Sequence, residues 1–184
     1  MSFESSYRKK NLKRDIKFIL KKMDINLDDV EDSEKFEQIF SAIEIKLFII
    51  AYSLRKLIDT RKVSDRLSDI QLKVNAYPKN SKKLTAMNNR RLQEQYEFKD
   101  RTETRKRIRR ICNQIIHSYT FQPIVYRSKI FYIFFNSDEQ KNKYLFRLKI
   151  KDLLKVVEKF SNNYPSSIKM VYCEELNDYK ISCE

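Results

Sequence analysis

The chain has no glycine and no tryptophan, one histidine, three prolines and three cysteines in 184 residues. Without glycine there can be no glycine-rich phosphate loop, which excludes the P-loop and dinucleotide-fingerprint folds. Turns that need positive φ are left to Asn and Asp, both plentiful here. Cys112, Cys173 and Cys183 are too few and too scattered for a structural zinc site of their own, and their odd number suits reduced thiols in a cytoplasmic protein. Cys112 and His117 stand five apart and would diverge by ~140° on a helix. They make neither a local metal pair nor a nucleophile with its base. No metal or cofactor is expected. The apolar runs Leu47 to Tyr52 and Ile130 to Phe135 fall far short of the ~20 residues a membrane span needs, so no membrane partner is expected either. The opening MSFESSYRKK does not read as a signal peptide.

Positive charge is what the chain has in surplus. Its 39 Lys and Arg outweigh 25 Asp and Glu, for a net charge of +14 and a pI near 9.6. Such a surplus points to a polyanionic partner, most simply nucleic acid. Apolar residues make up 41% of the chain, enough for a core. The strongest acidic block is the linker DINLDDVEDSE at 24–34.

Hydrophobic spacing predicts a helix over 5–23, through Leu12, Ile16, Ile19, Leu20 and Met23. A longer helix is predicted over 33–59, apolar on most sides and therefore central to the fold. Ser64 is placed to cap a short helix, and Ile70, Leu72, Val74 and Ala76 then alternate as a strand that stops at Pro78. Residues 79–100 read as a long polar insertion with Asn88-Asn89-Arg90-Arg91 at its centre, which Tyr96 and Phe98 return to the body. After His117 the period becomes that of strands: an edge segment at 121–126 carrying Pro123, the dense run IFYIFF at 130–135, a charged turn at 138–143, and alternation from Tyr144 to Ile150. Asp152 opens a further helix, and Ile168 to Tyr172 suit a last strand.

The stretch TETRKRIRRICNQIIHSY, 102–119, reads as one amphipathic helix capped by Thr102 or Thr104. Ile108, Ile111, Cys112, Ile115, Ile116 and Tyr119 share its apolar face. Lys106, Arg110, Asn113 and His117, at steps of four, three and four, form a polar stripe opposite. From Arg105 to His117 no acid appears. Arg109 and Ser118 flank the stripe as further RNA-binding candidates.

Arg110-Ile-Cys-Asn113-Gln-Ile-Ile-His117 resembles the R-x(4–6)-H signature of the HEPN superfamily, with Asn113 four residues before the histidine. The predicted elements make one α+β domain that is mainly helical, with a β-hairpin, a helix and a tail over 121–184, and the resemblance implies that 1–120 form a HEPN-like helical bundle. It also implies a metal-independent endoribonuclease acting as a homodimer, with a composite site of Arg110, Asn113 and His117 from each copy and a 2′,3′-cyclic phosphate product. A toxin or defence role and a neutralising antitoxin or other regulatory partner come with the same resemblance. RNA supplies its own nucleophile, the 2′-hydroxyl. Histidine has a pKa suited to moving its proton, and arginine a permanent charge suited to the developing anion. One histidine per chain is too few for a paired acid–base mechanism, which is why a two-fold pair is expected. The same stripe also allows a non-catalytic RNA- or nucleotide-binding module, or a structural adaptor.

Overall fold

The computed structural model describes residues 5–82, 84–85, 87–88 and 91–184. Asn89 and Arg90, in the basic centre read from the sequence, lie outside the described residues, as do Met1–Glu4. The order of elements is α1 (Ser5–Met23), α2 (Ser33–Asp59), α3 (Asp65–Ser68), β1 (Gln71–Pro78), α4 (Leu92–Gln95), β2 (Thr102–Arg107), α5 (Ile108–Ile116), β3 (Ser118–Tyr126), β4 (Lys129–Ser137), β5 (Tyr144–Lys149), α6 (Ile150–Asn162), β6 (Ile168–Cys173) and β7 (Asp178–Cys183).

A five-stranded antiparallel sheet, ordered β2-β1-β5-β4-β3, organises the molecule. This overturns the expectation of a mainly helical bundle with an appended hairpin. The strand at 71–78 and the hairpin at 129–149 belong to one sheet, joined where β1 pairs with β5 through Asn75↔Arg147 and Ala76↔Phe146. Helices α1, α2, α5 and α6 cover one face, and one core runs through both layers. Leu12, Ile43, Leu47, Ile111, Ile115, Val157 and Phe160 from the helices meet Val74, Ile133, Phe135, Phe146 and Leu148 from the strands.

A second difference falls at 102–107. These residues are the edge strand β2, not the first turns of a helix. Nothing apolar lies there to fix a helical phase, since every residue of the predicted apolar face begins at Ile108. Thr102 and Thr104 favour extended backbone, and pairing with β1 runs from Ala76↔Thr102 to Gln71↔Arg107. The chain turns directly from strand into helix at Arg107, where the Ile108 N–H donates to the Ile70 carbonyl at 2.8 Å.

Helix α2 is less enclosed than its composition predicts. Ile45, Ile49 and Tyr52 stand exposed on one stripe. The 79–100 region returns to the body at Tyr96 and Phe98, as expected, and Leu92 joins them. Leu92, Tyr96 and Phe98 fold over the outer face of the sheet and pack with Tyr77, Phe134 and Leu145 in a second, smaller core. Tyr96 anchors it: its hydroxyl donates to the Lys141 carbonyl at 2.7 Å and accepts from Asn136 Nδ2 at 2.8 Å. Burial pushes this phenol up to about 12, with the Asn136 hydrogen bond pulling the other way. The folded value lies above the usual 10.0, so Tyr96 contributes stability below that value that is lost as pH rises toward 12. Tyr96→Phe should cost about 1.5 kcal/mol near neutral pH, and the deficit should shrink in the alkaline range. Urea denaturation across that range reads both effects.

The glycine-free turns resolve differently from expectation. Positive φ is taken by Arg61, Arg127, Ser128 and Asn177, so only one of these four residues is Asn and none is Asp. Arg61 (φ 54°) follows the end of α2. The Lys62 N–H reaches back to the Leu57 carbonyl and the Arg61 N–H to the Ile58 carbonyl, the C-terminal motif in which glycine is the usual residue. Arg61→Gly should therefore raise stability by about 1 kcal/mol. The exposed Arg61–Asp65 ion pair that it removes contributes little. An increase in the urea midpoint is the check.

Among the described residues, no helix is long and apolar enough to cross a membrane. The β6–β7 hairpin stands out from the body with most of its residues exposed, and is tied down where the Cys183 N–H donates to Asp65 Oδ2 at 3.0 Å.

Candidate nucleic-acid interface

Helix α5 is held between α2 and the sheet by Ile108, Ile111, Cys112 and Ile115, all fully buried. Gln114 fixes its rotation toward β4, accepting from the Ser137 N–H at 3.0 Å. This packing leaves Arg109, Arg110, Asn113 and His117 exposed. Arg110, Asn113 and His117 share one face at steps of three and four. His117 closes the helix as its C-cap, its N–H donating to the Asn113 carbonyl at 3.0 Å.

Lys106 joins this face from the strand, not from the helix. It is half-buried, with its ammonium over the Phe146 ring at 4.3 Å from the centroid. Burial holds Lys106 below the usual lysine value, and the nearby Arg110 guanidinium lowers it further. Among the described residues, neither Lys106 nor Arg110 has an ion-pair partner. Like charges so placed raise the free energy of the folded chain until an anion offsets them.

The remaining candidates divide. Arg109 pairs with Asp59 at 3.1 Å, an acid that Arg55 also engages at 2.6 Å, so its charge is already matched within the fold. Ser118 opens β3, half-buried and paired in register with Ser137. Cys112 is enclosed in the core, where burial pushes its thiol up to about 12, so it is neither a thiolate nor accessible.

Sequence reasoning missed Arg105, Arg107 and Gln71. They complete, with Lys106 and Arg110, an open groove of about 490 Å³ wrapped around the free edge of β2. The signal was present in the run Arg105-Lys106-Arg107, but read as helix it scatters three cations around an axis. Read as an edge strand leading into α5, it gathers them. A larger groove of about 1000 Å³ lies between α1 and α2, lined by Tyr7, Arg14, Phe18, Lys46 and Tyr52, with Asp15 at its base paired to Lys46 at 2.7 Å. There the buried acid is matched by a cation.

No family model matches the chain, and neither a curated protein nor a solved structure matches it.

Proposed function

We propose that this protein binds RNA by taking the phosphate backbone into the groove between β2 and the start of α5. The observation that carries this reading is the Lys106–Arg110 pair, two cations held close together by strand and helix with no acid paired to either among the described residues. Arg105 extends the same positive groove, Arg107 lines it while pairing with Asp69 at 3.7 Å in an exposed ion pair, and Asn113 and His117 continue it along α5 with hydrogen-bonding groups. Guanidinium groups suit phosphate oxygens through paired donors, and the net charge of +14 favours a long polyanion over a small one.

A second reading, metal-independent RNA cleavage, is favoured by the arrangement of Arg110, Asn113 and His117 on one open helix face. Its sequence support is the HEPN-like spacing of Arg110 and His117. Within one copy, seven residues separate them, about 10 Å of helical rise, and side chains lean toward the helix N-terminus. They do not converge on one phosphate. Two copies with their α5 helices antiparallel about a two-fold axis would bring the partner's Arg110 beside His117. There the imidazole would accept the 2′-hydroxyl proton as that oxygen attacks the phosphorus and the P–O5′ bond breaks, leaving a 2′,3′-cyclic phosphate and a 5′-oxygen that takes a proton from solvent water. The guanidinium would stabilise the charge that develops on the phosphate.

RNA binding and RNA cleavage in EDTA, measured for wild type, His117→Ala and Arg110→Ala, test both readings. Arg110→Ala should weaken binding about tenfold. If the protein cleaves, His117→Ala should lose at least about a hundredfold in rate while still binding RNA. Cleavage equal in all three proteins, or absent from wild type, removes the second reading. Binding unchanged in Arg110→Ala removes the first.

A further inference from the structure

We infer that the outer face of the sheet, at the end from which α5 departs, is a stacking platform for unpaired RNA bases. The inference rests on the proposal that RNA is the partner, and adds a second surface that selects single strands.

The β3–β4 hairpin turns through Arg127 and Ser128, both at positive φ (52° and 59°). One step later the register slips: Ile124 faces Tyr132 while Val125 faces Ile130, which leaves Phe131 as an extra residue in β4. Consecutive strand residues normally point to opposite faces. The bulge instead brings Phe131 and Tyr132 together, their ring centroids 4.7 Å apart, with Tyr126 5.8 Å from Phe131.

A cation lies against each of these three rings. Arg147 sits 4.7 Å from the centre of Tyr132, Lys149 4.7 Å from Phe131, and Arg127 5.3 Å from Tyr126. Arg147 also lies 5.6 Å from Tyr77, on its other side. Its buried Nε has no hydrogen-bond partner among the described residues. Tyr126 is 49% exposed, and Phe131 and Tyr132 are half-buried.

Alternation and register place Glu103 as the one acid at an outward position of the five strands, and Lys73 pairs with it at 2.9 Å. The platform is therefore positive as well as aromatic, the combination that holds a single strand by stacking its bases and following its backbone. Base faces are hidden within a duplex, so these rings can take only unpaired bases. The antiparallel order brings the ends of β2, β3 and β5 and the starts of β1 and β4 to this same end of the sheet. β2 and β4 are three strand spacings apart, about 14 Å. One RNA strand could reach from the phosphate groove to the platform.

The test uses a single-stranded RNA carrying 2-aminopurine at internal positions, and the same RNA annealed to its complement. The chain has no tryptophan, so the probe's stacking quench is read with little protein background. Wild type should quench the single strand on binding and prefer it to the duplex. Phe131→Leu and Tyr132→Leu keep apolar cover on the sheet. Each should weaken single-strand binding about tenfold and reduce the quench at saturation, with duplex binding unchanged. Tyr132→Phe should behave as wild type, which separates stacking from misfolding. Arg110→Gln should weaken both forms alike and leave the saturated quench intact. If the leucine variants bind and quench as wild type while Arg110→Gln is impaired, the platform is refuted and the phosphate groove stands. A wild type that binds neither form overturns both.

Discussion

Neutralising both cations at the strand–helix junction, Lys106→Gln with Arg110→Gln, should weaken RNA binding about a hundredfold at physiological salt. Each side chain is expected to supply one charge-assisted phosphate contact, about 1.5 kcal/mol or tenfold. The dependence of log affinity on log salt should become shallower by about two, because two fewer counterions are released from the RNA. The fold should not suffer. Lys106 is disfavoured in its charged form by burial and by Arg110, and removing that repulsion should leave stability unchanged or slightly raised. Loss of binding without loss of stability distinguishes a ligand site from a structural ion cluster. Salt-titrated affinity together with urea denaturation measures both quantities, and an unchanged affinity would sink the proposed groove.

Lys9→Ala should destabilise the protein by about 3 kcal/mol, a large share of a typical folding free energy of ~5–15 kcal/mol. Lys9 is 1% exposed although it is a lysine on the first helix. Its ammonium donates to the carbonyls of Lys62 at 2.9 Å and Asn163 at 2.5 Å, and lies 3.9 Å from the centre of the Tyr164 ring. These carbonyls lie just beyond α2 and at the C-cap of α6, near the negative poles of two helices. Burial, followed by the charge of Lys62, holds Lys9 below the usual lysine value. Asn163 extends the knot, its Oδ1 accepting from the Ser64 N–H at 2.8 Å at the start of α3. Removing the side chain leaves two carbonyls without their donor, and a cavity. Lys9→Met fills the cavity and should recover about half of the loss. If Lys9→Met were as stable as wild type, the ammonium would contribute nothing and only the packing would matter.

Neither the role of Lys9 nor the groove at β2 was legible locally. In the sequence Lys9 is one of many cations on the polar side of α1, and only the convergence of α1 with the ends of α2 and α6 makes it a buried tie. The stripe Arg110-Asn113-His117 was legible, because Ile108, Ile111, Cys112 and Ile115 set the helical phase and leave those residues outside. Lys106 was assigned to the same stripe for the wrong local reason. It reaches Arg110 from the end of an edge strand. Arg109 looked equivalent to Arg110, but Asp59, fifty residues away in sequence, matches its charge.

The sequence alone determined α1, α2 and most of the strands, since long 3.6-residue periods and dense β-branched and aromatic runs are local properties. It also determined the basic surface, and the absence of any glycine phosphate loop. Tertiary structure decided the architecture. Residues 102–107 carry no apolar pattern, so their state depends on whether a partner strand lies alongside, and β1 provides one. That pairing turns two separate β segments into one five-stranded sheet, with α1, α2, α5 and α6 gathered on a single face. It also places Arg105, Lys106 and Arg107 along one free edge beside Arg110. Strand pairing is a contact between distant residues, and local periodicity carries no record of it.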